Sequence, residues 1–582
     1  WIFEEENDSS ETMDIMRFFF RDTAPSEEAK KELIEFNRAM VAKSRARKKV
    51  KIRRPIKAFP GDILFFVRAL ELLRGLCTNL QVRQSPLTIM ADSAKSALKS
   101  AHLKHDNRYA FPVQNDHPLW PKRKLNINLQ RDVKRLVHVL REEGLVSSCQ
   151  VCVVHENRIV VDVAEGPVVP GIDDDDDEND DEVCRSVRSD SIYSSFSCTK
   201  ALVATCMHML VGEGKAKYDD KVSKHWKAFG QSGKSNITIE EMLSHRAGLH
   251  AAIPAEMSLQ MFCDWDRMCT FFETACPADG YDDGMARYHA LTYGWICGKL
   301  IELLNGGIPF GEYVRLNIAR PLGLEAELMV GVPTEWTRPS WDKQHDEISQ
   351  FHSNRLVYLD RQGGGGRASM DVSKDEIKDM IERIKKRTKK AKQKNTPRNP
   401  DTDNDEGTKK ERKELSKQEK MEEMMGSMLE TFKGKEWMMD NRMWNSRRVR
   451  NAIIPAANGH FSARGLAIFY HALMEDGRLL SSETLSKATA FSAKDFFFGG
   501  EFSMGFKRHK YQMEGEKLLK IGFGHAGAGG SIGLAIPHAN LSFSLTVSRP
   551  IQDAEPRRRI LNLICKRLGV GIVQTEEMSG IN

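Results

Sequence analysis

A serine and a lysine near the middle of the chain could form a nucleophile and its base. Ser197-Cys198-Thr199-Lys200 stand at the head of a long apolar segment. A helix that begins there would place the hydroxyl and the amine one turn apart on the same face. A serine hydroxyl needs an adjacent base, and a lysine can be that base only if burial or a nearby charge lowers its pKa. The four residues therefore favour nucleophilic catalysis, and the alternative is that Ser197 is only a helix N-cap.

The segment that would position this pair is apolar on nearly every side from residue 201 to residue 211, which predicts a buried helix. Gly212 and Gly214 predict its end. A serine at the start of such a helix also presents an unpaired backbone N–H, the group that an oxyanion needs. Cys198 could itself be proposed as the nucleophile. At the second helix position, however, its side chain would point away from Lys200.

Composition limits the other classes of function. A chain of 582 residues predicts roughly two to four domains, and its net charge of +6 creates no field that favours nucleic acid. The 11 cysteines are scattered and odd in number, which favours reduced thiols inside a cell. Cys149 and Cys152 lack a second pair at zinc-like spacing and are predicted to lie in a buried strand. We therefore expect no metal and no cofactor.

Two features bear on location in the cell. No run of 18 uncharged apolar residues predicts a membrane-spanning helix. The sequence begins at Trp1 rather than Met, so that a targeting segment could precede it. We expect an intracellular protein, with mitochondrion and plastid both left open.

Changes in pattern divide the chain into a helical segment at 1–104, a polar linker at 105–128 and a larger domain at 129–570. The larger domain opens with a predicted helix at 131–143 and two predicted strands at 148–155 and 158–164. It ends with a strand at 541–549 and a helix at 557–568. We therefore predict an α/β (α+β) architecture in which helices flank a sheet.

Two charged insertions interrupt the larger domain. Residues 171–184 contain an acidic run, which we interpret as a solvated loop because like charges cannot pack. Residues 373–426 contain the basic run 385–394 within a polar tract and are predicted to be solvated and partly disordered. The alternative for the basic run is binding of a polyanion.

The glycine-dense segment near the C-terminus matches a dinucleotide-binding pattern only superficially. Gly522, Gly524 and Gly527 satisfy G-x-G-x-x-G. A dinucleotide fingerprint must join a strand to a helix, whereas a second strand is predicted after this segment. We therefore reject a nucleotide cofactor.

Residues 18–25 (FFFRDTAP) and 54–80 (RPIKAFPGDILFFVRALELLRGLCTNL) resemble the C-terminal tail of AarF/UbiB-type atypical kinases. The resemblance implies an all-helical segment that packs against a kinase core. The Gly-rich loop, the catalytic Asp and the metal-binding D-F-G of a kinase are not found in the sequence. The tail is therefore not expected to phosphorylate, although it could contact a kinase core located upstream.

The chain contains, in this order, Ser197-x-x-Lys200, Tyr288-His289-Ala290 and His525-Ala526-Gly527. Together these three motifs resemble the serine β-lactamase-like and penicillin-binding-protein-like superfamily, nearest its class C and family VIII carboxylesterase branches. Three further segments support the resemblance: LSHRAGL at 243–249, PLGL at 321–324 and IPAANGHFSARGLA at 454–467. The resemblance covers residues 132–568 apart from the insertions, and it implies an antiparallel sheet flanked by helices plus a helical subdomain.

The resemblance also implies roles. Ser197 would attack an acyl carbon, and Lys200 and Tyr288 would share its proton. The oxyanion would lie between the N–H groups of Ser197 and Ala528, and Gly527 would let the strand come close. His525, Gly527 and Ala528 would line the substrate side.

Two departures from the family pattern favour an ester as substrate. Penicillin-hydrolysing members have Asn where this chain has Ala290 and Lys where it has His525. Ala290 cannot bind a substrate amide, and His525 is a weaker anchor for a carboxylate. We therefore expect a small acyl substrate, an ester before a peptide or a β-lactam. The alternatives are an inactive scaffold attached to a kinase and a polyanion-binding protein.

Overall fold

The computed structural model describes residues 117–118, 120–168, 186–337, 355–360, 434–496, 500–512, 519–549 and 554–570. All of them belong to the second of the two units into which the chain divides, residues 109–582. The kinase-like segment at 1–104 and both insertions, 171–184 and 373–426, lie outside the described residues. The three-part division of the chain therefore stays a prediction.

The described residues form 13 strands and 13 α-helices, together with short 3-10 turns and a π-helical turn at Arg315–Ala319. The strands are β1 Lys122–Arg123, β2 Cys149–His155, β3 Arg158–Glu165, β4 Ile192–Ser194, β5 Leu328–Val330, β6 Leu356–Val357, β7 Gly459–Phe461, β8 Ala493–Lys494, β9 Glu501–Phe502, β10 Lys507–Gln512, β11 Leu519–Ala526, β12 Ile532–Ile536 and β13 Leu541–Val547. The helices are α1 Ile127–Glu142, α2 Lys200–Gly212, α3 Val222–His225, α4 Ile239–Leu243, α5 Leu259–Phe262, α6 Trp265–Thr274, α7 Thr292–Leu304, α8 Phe310–Val314, α9 Asn441–Asn445, α10 Arg447–Asn451, α11 Ala463–Met474, α12 Ser482–Thr489 and α13 Glu555–Leu568.

The main sheet has nine strands in the order β1-β3-β2-β13-β12-β11-β10-β9-β8, and all its pairs are antiparallel except β1 with β3. Its first hairpin turns at Glu156 and Asn157, which both have left-handed φ angles (48° and 57°). A two-residue turn of this kind matches the right-handed twist of the flanking strands. The two strands predicted at 148–155 and 158–164 are thereby confirmed.

Side chains of β2 alternate between two cores, one on each face of the main sheet. Val151 and Val153 pack in the core that also contains residues of α1 and α13. Cys152 and Val154 pack in the core that also contains α2 and α11. Cys149 lies in the first core and Cys152 in the second, so that the two thiols sit on opposite faces. The prediction that both cysteines lie in a buried strand is confirmed.

The second core extends into a largely helical region built around α2, where ten of thirteen residues are buried. A small sheet, β5-β7-β4-β6, stands beside it and leads the chain into α2. Helices flank the main sheet on both faces, as the sequence predicts. None of the described helices combines the length and hydropathy needed to cross a bilayer.

Candidate active site

Ser197 lies at a sharp turn between β4 and α2. The chain leaves β4 at Ser194, and Phe196 adopts φ 44° and ψ −126°, a region that non-glycine residues rarely occupy. A 3-10 turn, Ser197–Thr199, then runs directly into α2. Ser197 is half-buried, whereas Cys198, Thr199 and Lys200 are buried. The turn therefore leaves the hydroxyl as the accessible side chain of the motif.

Lys200 is fully buried, and its Nζ atom contacts three oxygen atoms. It lies 3.1 Å from Ser197 Oγ, 2.6 Å from the carbonyl oxygen of Ala290 and 2.9 Å from that of Ala456. The two carbonyls belong to the loops that precede α7 and β7. A neutral amine can donate two hydrogen bonds to these carbonyls and keep its lone pair for the Ser197 hydroxyl, so that the geometry suits a base.

Electrostatics favour the neutral form of this amine. Burial lowers the pKa of Lys200 well below its usual value, and the positive charge of Lys507 lowers it further. Lys507 projects from β10, and its Nζ lies 5.4 Å from the ring centroids of both Tyr288 and Phe502. These two rings are stacked 5.9 Å apart. Lys507 therefore brings a second cation to the site, one that the sequence motifs do not identify.

Tyr288 is half-buried beside the serine and the lysine. The Lys200 Nζ lies 4.9 Å from its ring centroid. Burial raises the pKa of the Tyr288 phenol, and its hydrogen bond with Ser197 opposes that rise. The phenol is therefore held in its protonated form more firmly than the amine, so that the physical chemistry favours Lys200 over Tyr288 as the first proton acceptor.

Two backbone N–H groups could bind an oxyanion. Among the described residues, neither the amide of Ser197 nor that of Ala528 has a hydrogen-bond acceptor. Gly527, which precedes Ala528, comes so close to the serine loop that a Cβ atom there would lie 2.3 Å from the carbonyl oxygen of Ser195. Only glycine permits this approach of the segment after β11. The sequence prediction that Gly527 allows a close approach matches this geometry.

His525 and Cys198 take positions that limit their roles. His525 is only 1% exposed, and its Nδ1 lies 3.0 Å from the carbonyl oxygen of Ala526. Burial and the charge of Lys507 hold its pKa well below the usual value, so that it offers no positive charge to a carboxylate. The Cys198 thiol donates to the carbonyl oxygen of His525 at 3.4 Å and not to Lys200. Burial raises the pKa of this thiol to about 12.

The structure brings Ser197, Lys200 and Tyr288 together, with the Gly527-Ala528 segment against the serine loop. Sequence reasoning missed Lys507 and the carbonyl of Ala456. A backbone carbonyl has no signature in a sequence, and Lys507 becomes recognisable only from the strand register that pairs it with Phe502 and Gly524. Within the described parts of the chain, no three potential metal ligands converge.

Comparison with known proteins gives a family match for part of the chain. The family model described as Beta-lactamase matches residues 133–370. The Esterase/beta-lactamase LipL of Mycobacterium tuberculosis is 24% identical over 381 residues, which cover 62% of this chain and 70% of LipL.

Solved structures show the same fold. A family VIII carboxylesterase superposes with a TM-score of 0.54 at 20% identity, over 76% of this chain and 97% of that protein. EstA from Arthrobacter nitroguajacolicus Rue61a superposes with a TM-score of 0.51 at 22% identity, over 75% and 97% of the two chains. The predicted class, an antiparallel sheet flanked by helices with a helical subdomain, is confirmed.

Proposed function

We propose that the Beta-lactamase family domain of this chain hydrolyses carboxylic esters through an acyl-enzyme on Ser197. A family VIII carboxylesterase has the same fold, and the sequence relative LipL is an esterase/beta-lactamase, so that both support an esterase. One observation supports the proposal above all others. The buried Nζ of Lys200 lies 3.1 Å from the hydroxyl of Ser197. Ser197 is half-buried, whereas Cys198, Thr199 and Lys200 are buried. A buried amine in contact with an accessible hydroxyl is the arrangement that nucleophilic catalysis needs.

Acylation begins when Ser197 Oγ attacks the ester carbonyl carbon and its proton moves to Lys200 Nζ. The amine becomes an ammonium ion, whose three N–H groups then match its three neighbours: Oγ and the carbonyls of Ala290 and Ala456. The negative charge that develops on the substrate oxygen is stabilised by the N–H groups of Ser197 and Ala528. Each new charge therefore has a partner as it forms.

Collapse of the tetrahedral intermediate breaks the bond to the leaving alcohol, which must receive a proton. Tyr288 stays protonated, because burial raises its pKa, and it lies next to both Ser197 and Lys200. Its phenol can donate to the departing oxygen and regain a proton from the Lys200 ammonium. Water then attacks the acyl carbon and gives a proton to Lys200. The second tetrahedral intermediate collapses as its bond to Ser197 Oγ breaks, Oγ takes the proton back from the Lys200 ammonium, and the carboxylic acid is released.

The surroundings favour an ester over a β-lactam. Ala290 supplies its backbone carbonyl to Lys200 but has no side-chain amide that could bind an acylamino group. His525 is buried and neutral, and so gives no charge to a carboxylate on the substrate. An uncharged ester needs neither contact. The proposed substrates are therefore small neutral carboxylic esters.

The test is labelling with a fluorophosphonate together with hydrolysis of a short-chain nitrophenyl ester. The wild type should be labelled, with the adduct on the peptide that contains Ser197, and Ser197→Ala should lose both labelling and turnover. Ser482→Ala removes an exposed hydroxyl at the start of α12 and serves as the matched control, which should behave like the wild type. A chromogenic cephalosporin should be hydrolysed far more slowly than the ester.

Either of two results would overturn the proposal. Labelling that survives Ser197→Ala would assign the nucleophile elsewhere, and a wild type without labelling or turnover would favour the inactive scaffold. The kinase-like segment at 1–104 and the basic run at 385–394 lie outside the described residues. Contact with an upstream kinase core and polyanion binding through the basic run both stay predictions.

A further inference from the structure

Two buried histidines join the loop that presents Tyr288 to the loop that follows α4. They are His245, which belongs to the LSHRAGL segment, and His289, the residue after Tyr288. We call them the histidine pair. Both are at most 1% exposed.

Hydrogen bonds run between the loops in both directions. The N–H of His289 donates to His245 Nδ1 at 3.2 Å, and the N–H of Leu249 donates to His289 Nε2 at 3.0 Å. The N–H of Arg287 also donates to the carbonyl oxygen of His245 at 2.9 Å. Each histidine therefore accepts a bond from the backbone of the other loop. Tyr288 stands between Arg287 and His289, two residues whose amides are both bonded to His245.

The partners of the rings fix their tautomers. A backbone N–H can only donate, so that His245 Nδ1 and His289 Nε2 must both carry a free lone pair. The proton of His289 is therefore on Nδ1, which donates to the carbonyl oxygen of Arg287 at 2.7 Å. Burial lowers the pKa of His245 well below its usual value and that of His289 to about 3. Both rings stay neutral, as these bonds require.

The His245 ring also packs directly against the phenol. Its centroid lies 4.8 Å from that of Tyr288 and 4.8 Å from that of Phe502. His245 itself has φ 62°, a left-handed conformation that costs energy for most residues with a side chain. In this conformation the imidazole of His245 lies against the Tyr288 ring.

We propose that the histidine pair positions Tyr288 for proton transfer by locking its loop through reciprocal side-chain to backbone hydrogen bonds. This inference rests on the proposed function, since it concerns the proton that the Tyr288 phenol donates to the leaving alcohol. The histidines do not touch the reacting atoms and act only through Tyr288. Because proton transfer depends steeply on distance, a small shift of the phenol slows the reaction without changing how the ester binds.

Two substitutions of His289 distinguish the hydrogen bond between the two loops from the mere presence of a polar side chain at this position. In His289→Gln, the longer side chain can place its carbonyl oxygen near the position of Nε2 and accept from Leu249. In His289→Asn, the shorter amide can still donate to the carbonyl oxygen of Arg287 but does not reach Leu249. The two variants thus differ in the bond between the loops.

The measurements are kcat and KM for an alkyl ester, whose leaving alcohol needs a proton from Tyr288, the rate of fluorophosphonate labelling, whose leaving fluoride needs none, and Tm. We expect His289→Asn to lower kcat for the alkyl ester by roughly tenfold or more at nearly unchanged KM and labelling rate, and His289→Gln to stay within about threefold of the wild type. His471→Ala is the control for loss of a buried histidine. It removes contacts to Asn157 and Glu475, away from the Tyr288 loop, and should lower Tm alone.

Equal kinetics for the Asn and Gln variants, or a fall of Tm in His289→Asn with kcat unchanged, would overturn the inference. If His289→Asn does not fold, His289→Gln alone tests the inference, because its side chain keeps the acceptor for the N–H of Leu249 but not the donor to the carbonyl oxygen of Arg287. A near wild-type kcat of His289→Gln for the alkyl ester would then support the positioning role, and a tenfold loss of kcat at unchanged Tm would refute it. A wild type that is not labelled at all would refute the proposed function first, so that the two failures are distinguishable.

Discussion

Two fully buried lysines in this domain are alike in burial and differ in their partners. Lys200 lies at the start of α2, and Lys234 lies in the loop before α4. The Nζ of Lys234 donates to the carbonyl oxygens of Gln231 at 2.9 Å, of Glu273 at 3.2 Å and of Ala275. The Nζ of Lys200 also has three partners, but one of them is the Ser197 hydroxyl. Burial lowers the pKa of both amines.

The type of acceptor separates a structural lysine from a catalytic one. Three carbonyls can only accept, so that Lys234 satisfies them all only as an ammonium ion. A hydroxyl can also donate, and Lys200 can therefore lose a proton without leaving any partner unpaired. The second cation, Lys507, lowers the pKa of Lys200 further. A neighbouring thiol opposes the fall at each lysine, Cys198 at Lys200 and Cys276 at Lys234. Burial alone does not identify a base.

The largest expected effect comes from removing each lysine in turn. Lys200→Met should lower kcat for the ester by a hundredfold or more, as the loss of a general base does, while Ser197 remains present. Lys234→Met should leave kcat per folded molecule unchanged and lower stability by about 1–3 kcal/mol for a buried carbonyl left unpaired. Steady-state kinetics and urea unfolding of both variants measure the two effects. If Lys234→Met lost activity in the same proportion as Lys200→Met, the distinction would be wrong.

The sequence predicted the parts of the site that depend on residue type and local spacing. Ser197 and Lys200 are related by one turn, and Gly527 is required by a close approach, so that a motif can reveal all three. The strands on either side of the Glu156-Asn157 turn followed from alternation and a turn signal. The G-x-G-x-x-G match was correctly rejected, because its glycines lie in β11 and in the turn to another strand.

The remainder of the site depends on tertiary packing that no local pattern encodes. Ala456 reaches Lys200 because Gly294 of α7 lies against its backbone, where a Cβ atom would be 2.2 Å from the Ala456 nitrogen. His525 was expected to line the substrate side as a weak anchor. Its own burial and the charge of Lys507 make it neutral, which sequence alone could not indicate. The same holds for the raised pKa of Tyr288.

A smaller effect is expected from Lys507, which provides the second cation near Lys200. Its charge lowers the pKa of Lys200, so that its removal in Lys507→Met should raise that pKa. Because the reaction needs the neutral amine, the acidic limb of the pH profile of kcat/KM should move to higher pH. Activity should fall severalfold at neutral pH and recover as the pH is raised. Lys510→Met removes an exposed charge on the same strand that pairs with Glu501 and is the matched control.

An unchanged acidic limb in Lys507→Met would show that burial alone sets the pKa of Lys200. A shift in the opposite direction would contradict the assignment of Lys200 as the neutral base. A loss of activity that is uniform across the whole pH range would instead place Lys507 in substrate binding.

The smallest effect is expected at Cys198, which lies between the serine and the lysine in sequence. Its thiol donates to the carbonyl oxygen of His525, and burial raises its pKa to about 12, so that it stays protonated and inert at neutral pH. Cys198→Ser should retain ester turnover, since a hydroxyl can donate to the same carbonyl. Iodoacetamide should modify the exposed Cys276 and leave both Cys198 and activity intact, as peptide mass spectrometry can establish. Inactivation that accompanies modification of Cys198 and is prevented by substrate would show that Lys200 serves the thiol. It would also remove the reason for separating Lys200 from Lys234, which is that only Lys200 has an accessible hydroxyl to deprotonate.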